Sequence, residues 1–117
     1  MHFVFVYGTL KKGFINHILL SRYNAVYHGK HYTSNEFSLY KCSSNLPYAV
    51  KETGSGVKGE VYQVNDKCLE DLDMLEGHPN WYKREIISIP DIGECWIYVM
   101  PFEKKFGTAK RIKSGEY

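Results

Sequence analysis

The chain has 117 residues, of which 44% are hydrophobic and 15% aromatic, and its formal net charge is +2. A chain of this length and composition can bury a core, so the sequence predicts a single domain over residues 1–117 and excludes wholesale disorder. The three cysteines, Cys42, Cys68 and Cys95, are odd in number and widely spaced. This pattern argues against a disulfide framework or a zinc site.

The positive charge is concentrated towards the C-terminus. Residues 103–117 contain five bases and two acids, a net charge of +3, which leaves −1 for the rest of the chain. A short basic segment without a matching basic surface is usually a solvated one, so we expect no nucleic-acid binding. No apolar run approaches the ~18 residues that span a bilayer, and the N-terminus lacks the features of a secretory leader. We therefore expect a cytoplasmic protein with no membrane contact.

Taken in chain order, the residue patterns predict more strands than helices. They indicate a buried strand (3–6), a glycine loop (8–13), a short helix (14–20), two strands (25–33 and 36–40), an edge segment or loop (46–50), a strand (57–64), an acidic helix (67–75) and two final strands (81–89 and 94–100). The strands follow one another in sequence, which favours an α+β fold around a strongly curved, mostly antiparallel sheet.

Two residues fix the expected ends of these elements. Pro47 cannot donate a hydrogen bond to a strand ladder, which is why residues 46–50 are predicted to be an edge or a loop. Asp66 is the predicted N-cap of the acidic helix, because a short acidic side chain can accept from the first free N–H groups.

Glu76 occupies an unusual place for a carboxylate, at the point where the acidic helix meets Gly77. A helix C-terminus carries partial negative charge and favours cations. Glu76 follows Leu69 by seven residues, about two helical turns, so its side chain should project from the apolar side of the helix. That side is predicted to be a stripe made of Leu69, Leu72 and Leu75.

Three features should raise the pKa of this carboxylate: partial burial, the helix end and the acids beside it, which are Glu70, Asp71 and Asp73. A general acid–base needs a pKa nearer neutrality than the ~4.3 of a free glutamate. Glu76 is therefore a candidate for proton transfer. The structural alternative is that it pairs with Lys83 or Arg84, or accepts N–H groups of the turn at 77–79.

A second candidate is the glycine loop after the first strand. Gly8 and Gly13 have the spacing of a phosphate-binding loop, but Phe14 and Ile15 stand where such a loop needs Lys and Ser or Thr. A nucleotide site is therefore not indicated. A strand that ends in a tight glycine turn exposes consecutive main-chain N–H groups, which could bind an anion or an oxyanion. An ordinary strand–helix turn explains the same residues equally well.

The histidines and cysteines are two further candidates for a functional site. His28 and His31 could bind a metal only with acidic ligands that the sequence does not place beside them, so a strand and turn is the simpler interpretation. A Cys–His nucleophile stays open, although no cysteine follows a glycine turn or begins a helix, where thiols are usually activated.

Five motifs run through the chain in a fixed order: YGTL (7–10), LPYAV (46–50), GVKGEVYQV (56–64), LDMLEGHPNWYKRE (72–85) and SGEY (114–117). Together they resemble the γ-glutamylcyclotransferase superfamily, and most closely its γ-glutamylamine cyclotransferase (AIG2-like) family. The similarity extends nearly from end to end. The combination of YGTL with LEGxPxxYxR makes it specific.

This resemblance implies a fold and a reaction. The fold is a small mixed, mostly antiparallel β-barrel with flanking helices. In the reaction, the α-amine of a γ-glutamyl group attacks its own γ-carbonyl, which releases 5-oxoproline and a free amine. The resemblance implies no metal and no organic cofactor.

The resemblance also implies the site residues. The family's catalytic glutamate corresponds to Glu76, and its substrate-binding turn corresponds to Tyr7, Gly8, Thr9 and Leu10. Tyr82, from the same motif as Glu76, and Tyr117, from the final motif, are the other expected substrate contacts.

The expected partner is a small γ-glutamylamine, and the protein is expected to act as a monomer. The released amine could be the side chain of lysine, another small amine or a carrier-bound acyl chain. Two other classes stay open: a module of the same fold that binds a γ-glutamyl or 5-oxoproline ligand without turnover, and a nucleic-acid binder that uses the basic C-terminal segment.

Overall fold

The computed structural model describes residues 1–101 and 107–117. Its helices and strands are, in order, β1 (His2–Val6), α1 (His17–Arg22), β2 (Val26–Tyr32), β3 (Phe37–Lys41), β4 (Pro47–Lys51), β5 (Lys58–Val64), α2 (Asp66–Glu76), β6 (Lys83–Ile89), β7 (Gly93–Val99) and β8 (Lys110–Arg111). None of the described helices is long and apolar enough to cross a membrane.

The strands form one mixed sheet that curls into a half-barrel. β1 lies at its centre, antiparallel to β5, with Val6 opposite Glu60, and parallel to β7, with Val4 opposite Trp96. The remaining order is β2 beside β5 on one side, and β4, β3 and β8 beyond β7 on the other, while β6 pairs with β7. The predicted α+β fold with a curved, mostly antiparallel sheet is confirmed.

The central strand explains how the core is divided. Val4 and Val6 pack with Leu20 of α1 and Leu72 of α2 on one face of the sheet. Phe5 points to the other face and packs within the curl of the sheet. Alternate residues of a strand face opposite sides, so an unbroken apolar run such as FVFV is needed where both sides are buried. This matches the prediction of a strand with two buried faces.

Both helices differ from the prediction in detail. α1 begins at His17 instead of residue 14, because residues 11–16 form successive turns; Phe14 N–H, for example, donates to Lys11 O at 3.0 Å. The N-cap of α2 is Asn65 and not Asp66, since the Asn65 side chain accepts from Cys68 N–H at 2.8 Å. Leu75 is 44% exposed and does not extend the buried stripe of Leu69 and Leu72.

The prediction of an edge or loop at 46–50 was wrong. β4 lies inside the sheet, antiparallel to β3 and parallel to β7, and Pro47 to Val50 are buried. Pro47 is the first residue of the strand, a position where a missing N–H is tolerated. This arrangement brings Pro47 to the end of β1, where the candidate site lies.

Candidate active site

A cleft opens at the C-terminal end of β1, between the loop that follows this strand, the start of β4 and the end of α2. It contains about 400 Å³ of empty space, counted out to its solvent mouth. Its walls are formed by Phe5, Val6, Tyr7, Gly8, Thr9, Leu10, Leu46, Pro47, Glu76, Tyr82 and Tyr98. Six of the seven residues predicted for the site therefore lie around one cavity, although they come from two motifs that are far apart in the chain.

The loop after β1 is pressed against β4. A Cβ atom on Gly8 would stand 2.7 Å from Cγ of Pro47, which no ordinary packing allows, so only glycine fits here. Asn16 holds the loop from the other side, because its main-chain N–H donates to Thr9 O at 2.9 Å and its side-chain amide donates to Thr9 Oγ1 at 2.8 Å. The loop is thus fixed at both ends before any ligand binds.

The fixed loop leaves a row of free donors. Within the described chain, the main-chain N–H groups of Gly8, Thr9 and Leu10 donate to no protein acceptor. Consecutive free N–H groups at the wall of a cleft are suited to an anion or an oxyanion. The anion-binding interpretation of the turn is therefore favoured over an ordinary connection, although its role stays a prediction.

Tyr7, the first residue of this loop, is held by two hydrogen bonds of its hydroxyl group. Its hydroxyl donates to Tyr98 O at 2.6 Å and accepts from Ala49 N–H at 3.1 Å, so the side chain joins the end of β1 to β7 and β4. Burial is the main cause that raises the pKa of Tyr7 well above its usual value, and repulsion from the negative charges that Tyr82 and Glu76 can carry adds to it. The phenol therefore stays neutral and acts as a structural link.

Glu76 is the last residue of α2, and the chain turns sharply after it. Gly77 adopts a left-handed conformation with φ of 67°, and His78 N–H returns to Asp73 O at 2.9 Å. Tyr82 N–H then donates to Glu76 O at 3.2 Å. The left-handed glycine is what allows the helix to stop at this residue, with Glu76 at the cleft and Tyr82 beside it.

The carboxyl group of Glu76 is perturbed as predicted, but for one reason only. Burial raises its pKa to about 7. The neighbouring acids, which were predicted to add to the shift, have other partners: Lys67 lies beside Glu70 and Asp71, and Tyr98 and Arg84 contact Asp73. The carboxyl group of Glu76 has no hydrogen bond or ion pair with any described residue, so the predicted alternative of a pair with Lys83 or Arg84 is not observed.

Two tyrosines complete the wall around Glu76. The Tyr82 hydroxyl donates to Pro47 O at 2.8 Å, and the Tyr98 hydroxyl donates to Asp73 Oδ1 at 2.7 Å. Burial is the main cause that raises the pKa of both phenols, and the negative charge of Glu76 adds to it. Glu76 therefore titrates near neutrality in a wall whose other ionisable groups keep their protons.

Tyr117 lies apart from the walls of this cleft. Its hydroxyl donates to Asn45 O at 3.2 Å, its ring packs on Phe14, and its main-chain oxygen accepts from Lys11 Nζ at 2.5 Å. It thus connects the two loops that precede β4 and follow β1. A direct contact between Tyr117 and substrate stays a prediction.

Sequence reasoning missed five wall residues, of which Tyr98 is the most informative. Its position in a strand rich in aromatic residues carries no signal for a site. Leu46 and Pro47 stood within a motif of the resemblance but were assigned to an edge or loop. Phe5 and Val6 were predicted as core, and they are buried as well as lining the cleft.

The structure gives little support to the histidines as metal ligands or to the cysteines as nucleophiles. His31 Nε2 bonds to His28 O at 2.8 Å within β2, and no group of three potential metal ligands occurs among residues 1–101 and 107–117. Burial raises the pKa of Cys68 and Cys95 to about 11, opposite to the shift that activates a thiol. Cys42, whose pKa a hydrogen bond from Ser44 lowers, is not part of the cleft wall.

A mixed sheet curled into a half-barrel with two helices is the small α+β fold of AIG2-like structures, and its cleft in this protein combines a glycine loop with a half-buried glutamate. The family model described as "Gamma-glutamyl cyclotransferase, AIG2-like" matches residues 4–117. The chain belongs to this family, and the resemblance seen in the motifs is confirmed. The family indicates activity of the γ-glutamylcyclotransferase type.

Individual relatives agree with this assignment. The chain is 42% identical over 106 residues to a protein of Methanocaldococcus jannaschii named "Putative gamma-glutamylcyclotransferase", covering 86% of each chain. It is 40% identical over 94 residues to gamma-glutamylaminecyclotransferase C of Danio rerio, covering 75% of this chain and 62% of that protein. The crystal structure of an uncharacterised Pyrococcus horikoshii protein has a TM-score of 0.82 at 31% identity and covers 99% of this chain and 89% of that one.

Proposed function

We propose that this protein is a γ-glutamylamine cyclotransferase. The observation that carries the proposal is the combination found at one cleft: a carboxyl group with a pKa of about 7 and no described partner, beside three free main-chain N–H groups. The similarity to gamma-glutamylaminecyclotransferase C of Danio rerio supports the choice of substrate class. Glu76 is the proposed general base and acid, and the loop from Tyr7 to Leu10 is the proposed substrate-binding turn.

The first step is proton removal. The α-amine of the substrate is an ammonium at neutral pH and cannot attack until it loses a proton. The ionised Glu76 carboxylate accepts this proton, and the free amine then attacks the γ-carbonyl carbon within the same γ-glutamyl group. Closing a five-membered ring within one molecule avoids the entropy cost of bringing two reactants together, an effect worth roughly 7–11 kcal/mol in well-oriented cases.

The second step is release of the amine. The carbonyl oxygen becomes an oxyanion, for which the N–H groups of Gly8, Thr9 and Leu10 are the available donors. When the intermediate collapses, the bond to the amide nitrogen breaks and Glu76 returns its proton to that nitrogen. Glu76, again ionised, accepts the extra proton of the ring nitrogen and passes it to the released amine, so the products are 5-oxoproline and an amine in its ammonium form, and Glu76 ends as the carboxylate. A pKa of about 7 suits both directions of transfer.

The proposal is tested by incubating the protein with γ-glutamylamines and measuring the release of 5-oxoproline. The panel contains γ-glutamyl-ε-lysine, γ-glutamyl-ethylamine and glutathione, with Glu76→Gln as the matched blank. We expect turnover of the first two, little with glutathione, and none with the variant. Binding of 5-oxoproline without turnover of any substrate would instead identify a binding module of the same fold.

A further inference from the structure

A second cleft lies on the other side of the loop that follows β1. It contains about 980 Å³ of empty space, counted out to its solvent mouth as for the first cleft, and is lined by four lysines, Lys11, Lys12, Lys30 and Lys58, against two acids, Glu60 and Glu116. Its formal charge is therefore +2, equal to that of the whole chain. These lysines come from three separate parts of the chain, which is why the charge pattern of the sequence did not reveal a basic surface outside the C-terminal segment.

The β2–β5 pairing places two of the lysines on one face. Lys30 stands opposite Glu60, and Lys58 stands opposite Tyr32. Lys30 and Tyr32 are two residues apart on β2, and their partners Glu60 and Lys58 are two residues apart on β5. The four side chains therefore share one face of the sheet. The Lys58 ammonium also lies over the Tyr32 ring, 5.5 Å from its centre. Half of this face is thus cationic, with an exposed aromatic ring beside it.

Glu60, the acid on this face, already accepts two hydrogen bonds. Glu60 Oε1 accepts from Lys12 N–H at 2.8 Å and from the Tyr62 hydroxyl at 3.0 Å. Glu60 therefore anchors the loop at the point where Lys12 extends over the cleft. Among residues 1–101 and 107–117, none of Lys12, Lys30 and Lys58 has a carboxylate within ion-pair distance.

The fourth lysine is fixed as part of the wall. Lys11 is only 7% exposed; its ammonium donates to Tyr117 O at 2.5 Å and lies 5.1 Å from the centre of the Phe14 ring. These contacts fix Lys11 in the floor of a cavity that Lys12, Lys30 and Lys58 also line.

We propose that this lysine cleft is a binding site for a small oxyanion, a carboxylate or a phosphate, held by Lys12, Lys30 and Lys58. Concave basic surfaces concentrate anions, and an ammonium group binds an oxyanion through charge-assisted hydrogen bonds. The concave shape, with aromatic rings at Phe14 and Tyr32, suits a small molecule better than an extended polymer. The lysine cleft shares no lining residue with the wall that contains Glu76, so its lysines are not part of the proposed proton transfer.

The test is a calorimetric titration of the full chain with citrate and with inorganic phosphate at low ionic strength. We expect saturable binding of at least one anion at a single site. The double variant Lys30→Gln/Lys58→Gln should weaken binding about tenfold or more, while Lys51→Gln, an exposed lysine at the end of β4, should leave it unchanged. Circular dichroism of each variant checks the fold.

The absence of saturable binding for both anions, or equal weakening by the Lys51 control, would refute the site. Salt-dependent binding of an oligonucleotide that the double variant abolishes would assign the cleft to nucleic acid and would also refute the proposal.

The source of the oxyanion is resolved by repeating the citrate titration on Glu76→Gln with γ-glutamyl-ε-lysine present. Competition would show that the cleft takes the carboxylate of the substrate's amine half, and simultaneous binding would show that it takes a separate anion. Either result is compatible with the site, and neither depends on turnover.

Discussion

Arg84 binds Asp73 and not Glu76, although both acids lie on α2 within one turn of each other. The distance from Arg84 Nη1 to Asp73 Oδ2 is 3.2 Å, and the guanidinium also stacks over the Trp96 ring at 4.2 Å. Because the second oxygen of Asp73 accepts from Tyr98, its charge is compensated from two sides. Glu76 is thereby left as the carboxylate that is free to exchange a proton in the cleft.

Removing this compensation should change the acidity of Glu76. In Arg84→Met the charge of Asp73 would act on Glu76 without a cation beside it, and like charges raise the pKa of a carboxyl group. We expect the acid limb of kcat/KM to move to higher pH. The double variant Arg84→Met/Asp73→Asn should move it back, which separates an electrostatic effect from a loss of packing. A limb that stays in place in both variants would contradict this account.

The contact between Gly8 and Pro47 predicts a steric effect. Gly8→Ala places a methyl group 2.7 Å from Pro47 Cγ, so the loop must move away from β4. We expect a decrease in kcat/KM of at least about tenfold, since small displacements of positioned groups are costly in catalysis. Gly107→Ala, where a Cβ meets no atom within 4 Å, is the matched control. Pro47→Ala in the Gly8→Ala background should recover part of the activity; no recovery would show that another feature of the loop requires glycine.

The part of the fold that the sequence predicted well is the part decided by local pattern. Unbroken apolar residues in β1 and the alternation in β5 led to correct strands, and the acidic helix α2 was found almost to the residue. The position of β4 was not predictable in this way. Its place inside the sheet depends on a parallel pairing of Ala49 with Val99, a contact between residues fifty positions apart that leaves no local mark.

The site shows the same division. Glu76 was singled out because a carboxylate at a helix end conflicts with the local electrostatics, and the conflict is visible in the sequence. Of the causes predicted for its raised pKa, the structure gives burial. Asp73, one of the acids predicted to add to it, contacts Arg84 and Tyr98, which only tertiary structure brings to it. The wall residue Tyr98 and the lysine cleft were missed for the same reason.

Replacing the carboxyl group of Glu76 should abolish turnover. Glu76→Gln keeps the size of the side chain but cannot exchange a proton, so we expect 5-oxoproline release to fall by about 10²-fold or more. Glu70→Gln, on the exposed face of the same helix, should keep wild-type activity. Binding of 5-oxoproline, followed by calorimetry, should survive in both variants. If Glu76→Gln retains a tenth of the wild-type kcat, Glu76 is not the base.

The pH dependence of the reaction should report the same group. Glu76 must be ionised to accept the ammonium proton, so kcat/KM should rise with pH and level off above the folded pKa of about 7. A free glutamate would place this limb near ~4.3. The substrate amine titrates at higher pH, so the limb is assigned by measuring substrates whose amines differ in pKa. A limb that follows the substrate's amine and not the enzyme would contradict the assignment to Glu76.

The raised pKa also has a consequence for stability, and its sign is fixed. The folded protein holds the proton of Glu76 up to a pH of about 7, whereas the unfolded chain releases it near ~4.3. Over this window the folded state binds more protons than the unfolded state, so the free energy of unfolding falls as pH rises. The stabilising contribution of the protonated group is fully present below the unfolded pKa and is lost as pH passes the folded pKa.

Glu76→Gln cannot ionise and should escape this loss. We therefore expect its melting temperature to equal or exceed that of the wild type at pH 7, with the difference vanishing at about pH 3, well below the unfolded pKa of ~4.3, where the wild-type carboxyl group is protonated in both states. The measurement is thermal unfolding of the two proteins at several pH values, with Glu70→Gln as the control for loss of an exposed charge. A clear decrease in melting temperature at pH 7 would mean that the carboxylate forms a stabilising contact in the folded protein, and its role as a free proton carrier would then have to be abandoned.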